Sequence, residues 1–132
     1  MTITAVKPQL ASIAPQFLVD DLDGAIAYYR DVLGFAFGEP WGGFYAIGER
    51  DGVEIHLKEA PKNADERTHR HANEHLDAYV RVKGIDTFYA QCVAKGANII
   101  KPLAEMPWGT KDFFLADPEG YIIAFGEVIH ST

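Results

Sequence analysis

The chain has 132 residues, 48% hydrophobic and 23% charged, enough apolar material for one core and hence a single domain over 1–132. Its net charge of −7, with 19 acidic against 12 basic residues and no basic stripe, argues against nucleic acid as a partner, because a phosphate backbone would be repelled. No run approaches the roughly 20 apolar residues of a membrane span, and the opening MTITAVKPQLAS lacks the basic start and apolar run of a secretory signal, so a cytoplasmic protein is expected.

In chain order, a short apolar run near 13–19 predicts a strand. From Leu22 the positions Leu22, Ala25, Ile26, Tyr29 and Leu33 recur at helical spacing, with Asp21 placed to cap the helix and Gly34 to end it. Runs near 35–40, 43–48 and 52–58 predict three further strands, the last two joined by the hairpin turn Arg50-Asp51-Gly52. Residues 59–74 are almost wholly polar and read as a linker. Its His69 and His71, with His75 just beyond, have a spacing that can bind metal, but a polar loop without cysteine or an obvious acidic partner reads as plain surface.

A strand near 76–82 follows. A second helix carries Ile85, Phe88, Tyr89 and Cys92 on one face and ends at Gly96, and strands are expected near 97–101, 110–116 and 120–127, the last two joined by Asp117-Pro118-Glu119-Gly120. Cys92, the single cysteine, lies on the apolar helix face and reads as a packed thiol.

The chain therefore says nearly the same thing twice. Val19 and Val82 head matching segments 63 residues apart, and Gly52 and Gly120 head matching strands 68 residues apart, so the second copy has about five extra residues in its middle loops. Each half reads βαβββ: module 1 over about 12–58, module 2 over about 75–128. The fold class is α+β, two tandem modules with curved mixed sheets around a cavity, and function is expected on the surface the modules share.

Strand alternation separates two faces. Phe17 and Val19 oppose Gln16 and Leu18; Val53, Ile55 and Leu57 oppose Glu54, His56 and Lys58; Ala78, Val80 and Val82 oppose Asp77, Tyr79 and Arg81; Tyr121, Ile123 and Phe125 oppose Ile122, Ala124 and Gly126. The first set should pack on the helices. The second mixes Gln16, Glu54, His56, Asp77, Tyr79 and Arg81 with small and aliphatic residues, the composition of a ligand pocket, although a solvated face or plain ion pairs such as Glu54–Arg81 or Asp77–Arg81 are the bland alternatives. Trp41, Phe44, Trp108 and Phe114 are candidate rim aromatics. Trp41 and Trp108 are favoured because they sit in glycine-flanked loops, whereas Phe44 and Phe114 serve equally well as core.

The segments FLVDDLDGAIAYYRDVLGF (17–35) and PWGTKDFFLADPEGYIIAFGE (107–127), in this order around a βαβββ repeat, resemble the vicinal oxygen chelate superfamily of glyoxalases, bleomycin-resistance proteins and extradiol dioxygenases, and most closely its bleomycin-resistance-like branch. Metal-dependent members place ligands at four equivalent strand positions, which the resemblance carries onto Ala14, His56, Asp77 and Ala124. Alanine has no lone pair, which leaves His56 and Asp77, with Glu54 a possible recruit from the same strand face; a catalytic metal generally needs three protein ligands, two are too few, and no metal and no cofactor are expected. His56 and Asp77 then become pocket residues or a structural His–Asp contact. The resemblance implies a homodimer that binds and sequesters a small molecule, with a cationic or aromatic ligand as the candidate; the rival is a glyoxalase-like lyase or isomerase, or an oxygenase, working through His56, Glu54 and Asp77.

Overall fold

The structure, a computed structural model, describes residues 8–9, 11–59 and 76–129. The linker and its His69, His71 and His75 lie outside the described residues, apart from Glu59. Module 1 contains β1 (Gln16–Val19), α1 (Leu22–Asp31), β2 (Ala36–Phe37), β3 (Tyr45–Arg50) and β4 (Val53–Glu59). Module 2 contains β5 (Ala78–Arg81), α2 (Ile85–Ala94), β6 (Asn98–Glu105), β7 (Thr110–Ala116) and β8 (Ile122–Val128). The sheets run β1-β4-β3-β2 and β5-β8-β7-β6, with β1 parallel to β4, β5 parallel to β8 and the other pairs antiparallel. None of the described helices is long and apolar enough to cross a membrane.

Helix starts show how the duplication was built. Asp21 caps α1 by accepting from Gly24 N at 3.1 Å. At the matching start of α2 stands Gly84, in the left-handed region with no side chain to cap. The missing acceptor comes from the last strand, where the Glu127 carboxylate takes both Gly84 N (3.2 Å) and Ile85 N (3.0 Å). Glu59, the counterpart of Glu127, reaches Leu22 N at 3.4 Å, so the remote cap recurs in both modules while only α1 has a local one as well.

The helices pack on the apolar strand faces. α1 lies on β3 and β4, α2 on β6, β7 and β8, and Phe17, Val19, Ile55, Leu57, Tyr121, Ile123 and Phe125 are buried in one core with Leu22, Tyr29, Leu33, Ile85 and Cys92. Burial pushes the Cys92 thiol up to about 11, as a packed and unreactive group requires. The β3–β4 turn is tight, with Asp51 and Gly52 both at positive φ (54° and 82°), the geometry an Asp-Gly pair supports in a two-residue hairpin.

The modules are joined at a polar seam inside this core. Asp117, 4% exposed, accepts from the Tyr29 hydroxyl (2.8 Å) and from Glu119 N and Tyr121 N (both 2.9 Å). Around it, Tyr28 donates to Ala116 O, Tyr121 donates to Leu18 O, and the rings of Phe17 and Tyr121 stack at 4.4 Å. Desolvation is the largest influence on Asp117, and although its three donors favour the anion, burial wins and the carboxyl is pushed up to about 6.

Two outcomes follow from these contacts. The folded-state pKa of Asp117 lies above its ordinary 3.8, so its contribution to stability is fully present below about pH 4 and is lost as the pH rises through about 6. A displacement of this size corresponds to about 3 kcal/mol at most. In melts from about pH 7.5 to 4.5, wild type should gain stability relative to Asp117→Asn as the pH falls; a pH-independent difference would show that the carboxyl titrates normally. Second, Glu127→Ala should cost about 0.5–2 kcal/mol in a denaturant melt, and Glu59→Ala distinctly less, because Asp21 still caps α1.

Candidate functional site

Each sheet turns its other face away from the helices, and there the strand registers gather the polar residues. In module 1, β1 sets Gln16 beside His56, and β3 sets Ile47 beside His56 and Tyr45 beside Lys58. One continuous network results. Gln16 Nε2 donates to the Tyr45 hydroxyl at 2.9 Å, that hydroxyl lies 2.7 Å from His56 Nδ1, and His56 Nε2 lies 2.7 Å from Glu54 Oε1. An ionised carboxylate only accepts, so Nε2 carries a hydrogen; in the neutral imidazole Nδ1 must then accept from Tyr45. The tautomer follows from the partners.

Module 2 builds a different network on the equivalent face. β5 pairs Tyr79 with Ala124 and Arg81 with Gly126, and β7 pairs Asp112 with Gly126. The Tyr79 hydroxyl donates to Asp112 Oδ1 at 2.9 Å, directly across Gly126, whose missing Cβ would lie 2.0 Å from both oxygens. Only glycine leaves room for this bond. Arg81 stacks on Tyr79, Cζ 5.2 Å from the ring centroid, with Nη1 3.5 Å from the hydroxyl. Burial first, and then the bond to Asp112, raise the Tyr79 phenol above its usual range. Asp112 is buried, and so is Thr110, whose Oγ1 has no hydrogen-bond partner among the described residues.

The two tryptophans occupy matching places. Tyr45 pairs with Lys58 and Asp112 with Gly126, the equivalents across the repeat, and Trp41 and Trp108 each stand four residues before that partner. Both are solvent-facing, 74% and 70% exposed. Trp41 is held by its bridge to Tyr45, and Trp108 by the turn that Met106 N closes on Thr110 O. Phe44 is part-exposed beside Tyr45 at the same rim, while half-buried Phe114 lies under the Lys101 ammonium.

Of the residues singled out in the sequence, Gln16, Glu54 and His56 meet on one face, and Tyr79 and Arg81 on the other. Asp77 joins neither group. Sitting just before β5, it turns its carboxylate back onto the start of β8 and accepts from Ile122 N at 2.8 Å. The expected His56–Asp77 contact is not made, since both imidazole nitrogens are engaged by Tyr45 and Glu54. The Glu54–Arg81 and Asp77–Arg81 pairs are also not made: Glu54 pairs with His56 and Arg81 with Tyr79. Tyr45, Asp112 and Thr110 were missed by sequence reasoning. The hairpin register would have placed Tyr45, since counting back from Asp51-Gly52 sets it beside the His56 row.

The donor set does not fit the metal that the family positions imply. Ala14 and Ala124 offer no ligand atom, Ala124 is fully buried between Tyr79 and Phe114 in register, Asp77 is spent on a backbone N–H, and His56 has no free nitrogen. Among the described residues, no three His, Cys, Asp or Glu side chains are gathered to hold a metal ion.

A cavity of about 660 Å³ lies elsewhere, on the helix side, between the β3–β4 turn and α2; of the candidate residues only Arg81 borders it.

A family model described as Glyoxalase/Bleomycin resistance protein/Dioxygenase superfamily matches residues 9–125. The Bleomycin resistance protein of Geobacillus stearothermophilus is 29% identical over 133 residues, covering 89% of this chain and 96% of that protein, and one from Staphylococcus aureus gives the same figures. Among solved structures, a glyoxalase-related enzyme from Clostridium phytofermentans superposes with a TM-score of 0.72 at 17% identity, over 92% of this chain and 98% of that one. The Lactoylglutathione lyase of Agrobacterium tumefaciens does so with a TM-score of 0.67 at 20% identity, over 92% and 96%. With two βαβββ modules and a family match over most of its length, the chain belongs to the Glyoxalase/Bleomycin resistance protein/Dioxygenase superfamily.

Proposed function

We propose that the protein binds a small organic molecule on these outer sheet faces and sequesters it without a metal and without chemistry. The observation that carries this reading is the pairing of a preassembled polar network with an exposed tryptophan at equivalent positions in both modules. Flat exposed indoles suit a planar or cationic ligand, and the fixed polar groups would orient it at little entropic cost. The curated relatives at 29% identity are named for resistance to bleomycin, which agrees with a role in holding a small molecule. We assign the working form as a homodimer in the cytoplasm, in which a second copy covers the open faces, where Tyr79 is 42% exposed and Ile47 40%.

A second reading, a lyase or isomerase, is favoured by one feature. His56 is oriented by Glu54 on one side and by Tyr45 on the other, the arrangement that equips an imidazole for proton transfer. Binding is preferred because His56 has no ring nitrogen left for a substrate unless Tyr45 or Glu54 moves.

Two measurements test the assignment. His56→Ala and Trp108→Ala should each weaken a ligand found by screening cationic and aromatic compounds by roughly five- to hundred-fold, equivalent to about 1–3 kcal/mol, while melting close to wild type. Ile123→Ala, deep in the core, should instead lose about 2–5 kcal/mol of stability with affinity retained by the folded fraction. If His56→Ala and Trp108→Ala melt far below wild type and still bind normally, both residues are structural. Elemental analysis after mild purification should find no stoichiometric divalent metal, and an equivalent of zinc, nickel, iron or manganese lost with His56→Ala would promote the enzyme instead.

A further inference from the structure

The duplication makes the joint between the modules twice, and among the described residues only one copy is filled. At the filled joint, Phe17, Tyr28, Tyr29 and Tyr121 crowd against the Asp117 turn. The repeat offsets of 63 and 68 residues carry these four onto Val80, Gln91, Cys92 and Val53. Every replacement is smaller. At the second joint, where the aromatic rings are missing, the cavity of about 660 Å³ opens, bordered by Val53, Val80, Gln91, Phe88 and Phe125. This half-open cleft falls within the range of volumes that take a drug-sized molecule.

Its rim has the opposite charge to the rest of the molecule. In a chain of net charge −7, the opening carries Arg50 and Lys83, the latter standing where the filled joint has Asp20. Arg50 is fixed over the Phe88 ring, 5.2 Å from its centroid, with Nη1 donating to Leu33 O at 2.7 Å, which leaves Nη2 unclaimed among the described residues. The acids nearby are committed or remote. Asp51 meets Arg50 Nε only at 3.5 Å with its carboxylate 86% exposed, and Glu127 is held on the backbone of Gly84 and Ile85. Arg81 also borders the cavity, but its guanidinium is drawn to the outer face by Tyr79.

We propose that this joint is a second binding site, independent of the outer faces, for an organic monoanion: an aromatic or branched apolar body seated between Val53, Val80 and Phe125, with its carboxylate or sulfonate beside Arg50 and Lys83. The probe is anilinonaphthalene sulfonate, titrated by fluorescence into the folded protein, with N-phenylnaphthylamine as the uncharged analogue. One equivalent of the sulfonate should bind, and the amine at least tenfold more weakly. Val53→Tyr and Gln91→Tyr, which restore the aromatic residues of the filled joint at part-exposed or exposed positions, should each cut sulfonate affinity at least tenfold. Lys83→Glu, fully on the surface, should do so for the sulfonate and not for the amine. Trp41→Ala and Trp108→Ala should leave it within twofold, which separates this site from the outer faces. Unchanged affinity in both tyrosine variants, equal binding of the two probes, or loss of binding in the tryptophan variants would overturn the proposal. So would a sedimentation mass that falls from dimer to monomer in Gln91→Tyr, which would make the cavity the seat of a second copy.

Discussion

The arrangement of this molecule depends on one buried carboxylate. Asp117 sits in the β7–β8 turn of module 2 and collects a hydroxyl from α1 of module 1 together with two backbone N–H groups of its own turn. Taking a carboxylate from water is costly, and three donors only partly offset that, which is why its proton is held up to about 6. In exchange the contact is directional. A purely apolar seam between two sheet-and-helix layers could slide, whereas Tyr29, Tyr28 and Tyr121 each fix a donor on one module to an acceptor on the other. With helices and apolar faces consumed by this joint, the polar faces can only point outward, and the geometry of the candidate site is a consequence of how the core is closed.

Duplication explains both what the modules share and where they part. Shared features are those the backbone demands: the parallel β1–β4 and β5–β8 pairs, and a strand-end glutamate that serves the N–H groups at the next helix start. These cannot drift without leaving buried polar atoms unpaired. The outer faces are under no such demand and have diverged completely, His56 in one module matching Ala124 in the other. In place of a symmetric metal site stand two unlike hydrogen-bonded networks, while the flanking tryptophans are kept in both.

Much of this was legible in the sequence. The helices, the Asp21 cap, both hairpin turns and the burial of Phe17, Ile55 and Ile123 follow from periodicity and turn chemistry, because each is a local consequence of residue type. The ends of elements were less so. A strand expected over 35–40 is only Ala36–Phe37, and one expected over 97–101 extends to Glu105 through bulges, since strand ends are decided by partners the sequence does not display. Alternation put Asp77 on the polar face, but it stands just before β5, outside the strand, and its carboxylate folds back onto the backbone of β8. Asp112 was hidden by its neighbours: in TKDFFLA the adjacent phenylalanines blur the two-residue period that would have set it opposite Gly126.

The two networks also constrain what can bind between them. On module 1 the end of the face at Glu54 presents acceptors, Glu54 using one oxygen on the imidazole and Glu49 standing directly opposite it in register, while Lys58, beyond His56 on the same face, adds a cation. On module 2 the Tyr79 hydroxyl and Asp112 satisfy one another across Gly126, so the group left to reach outward is the Arg81 guanidinium, a donor with no acceptor capacity. A ligand that lay on module 1 with a cationic or donor-rich edge, and met module 2 with an acceptor, would satisfy both without breaking either network. A ligand of single polarity would cover one face's charged groups without a partner, which opposes binding. On the proposed reading, discrimination on these faces would rest on the order of donors and acceptors along the ligand, with the tryptophans supplying contact area that any flat molecule could use.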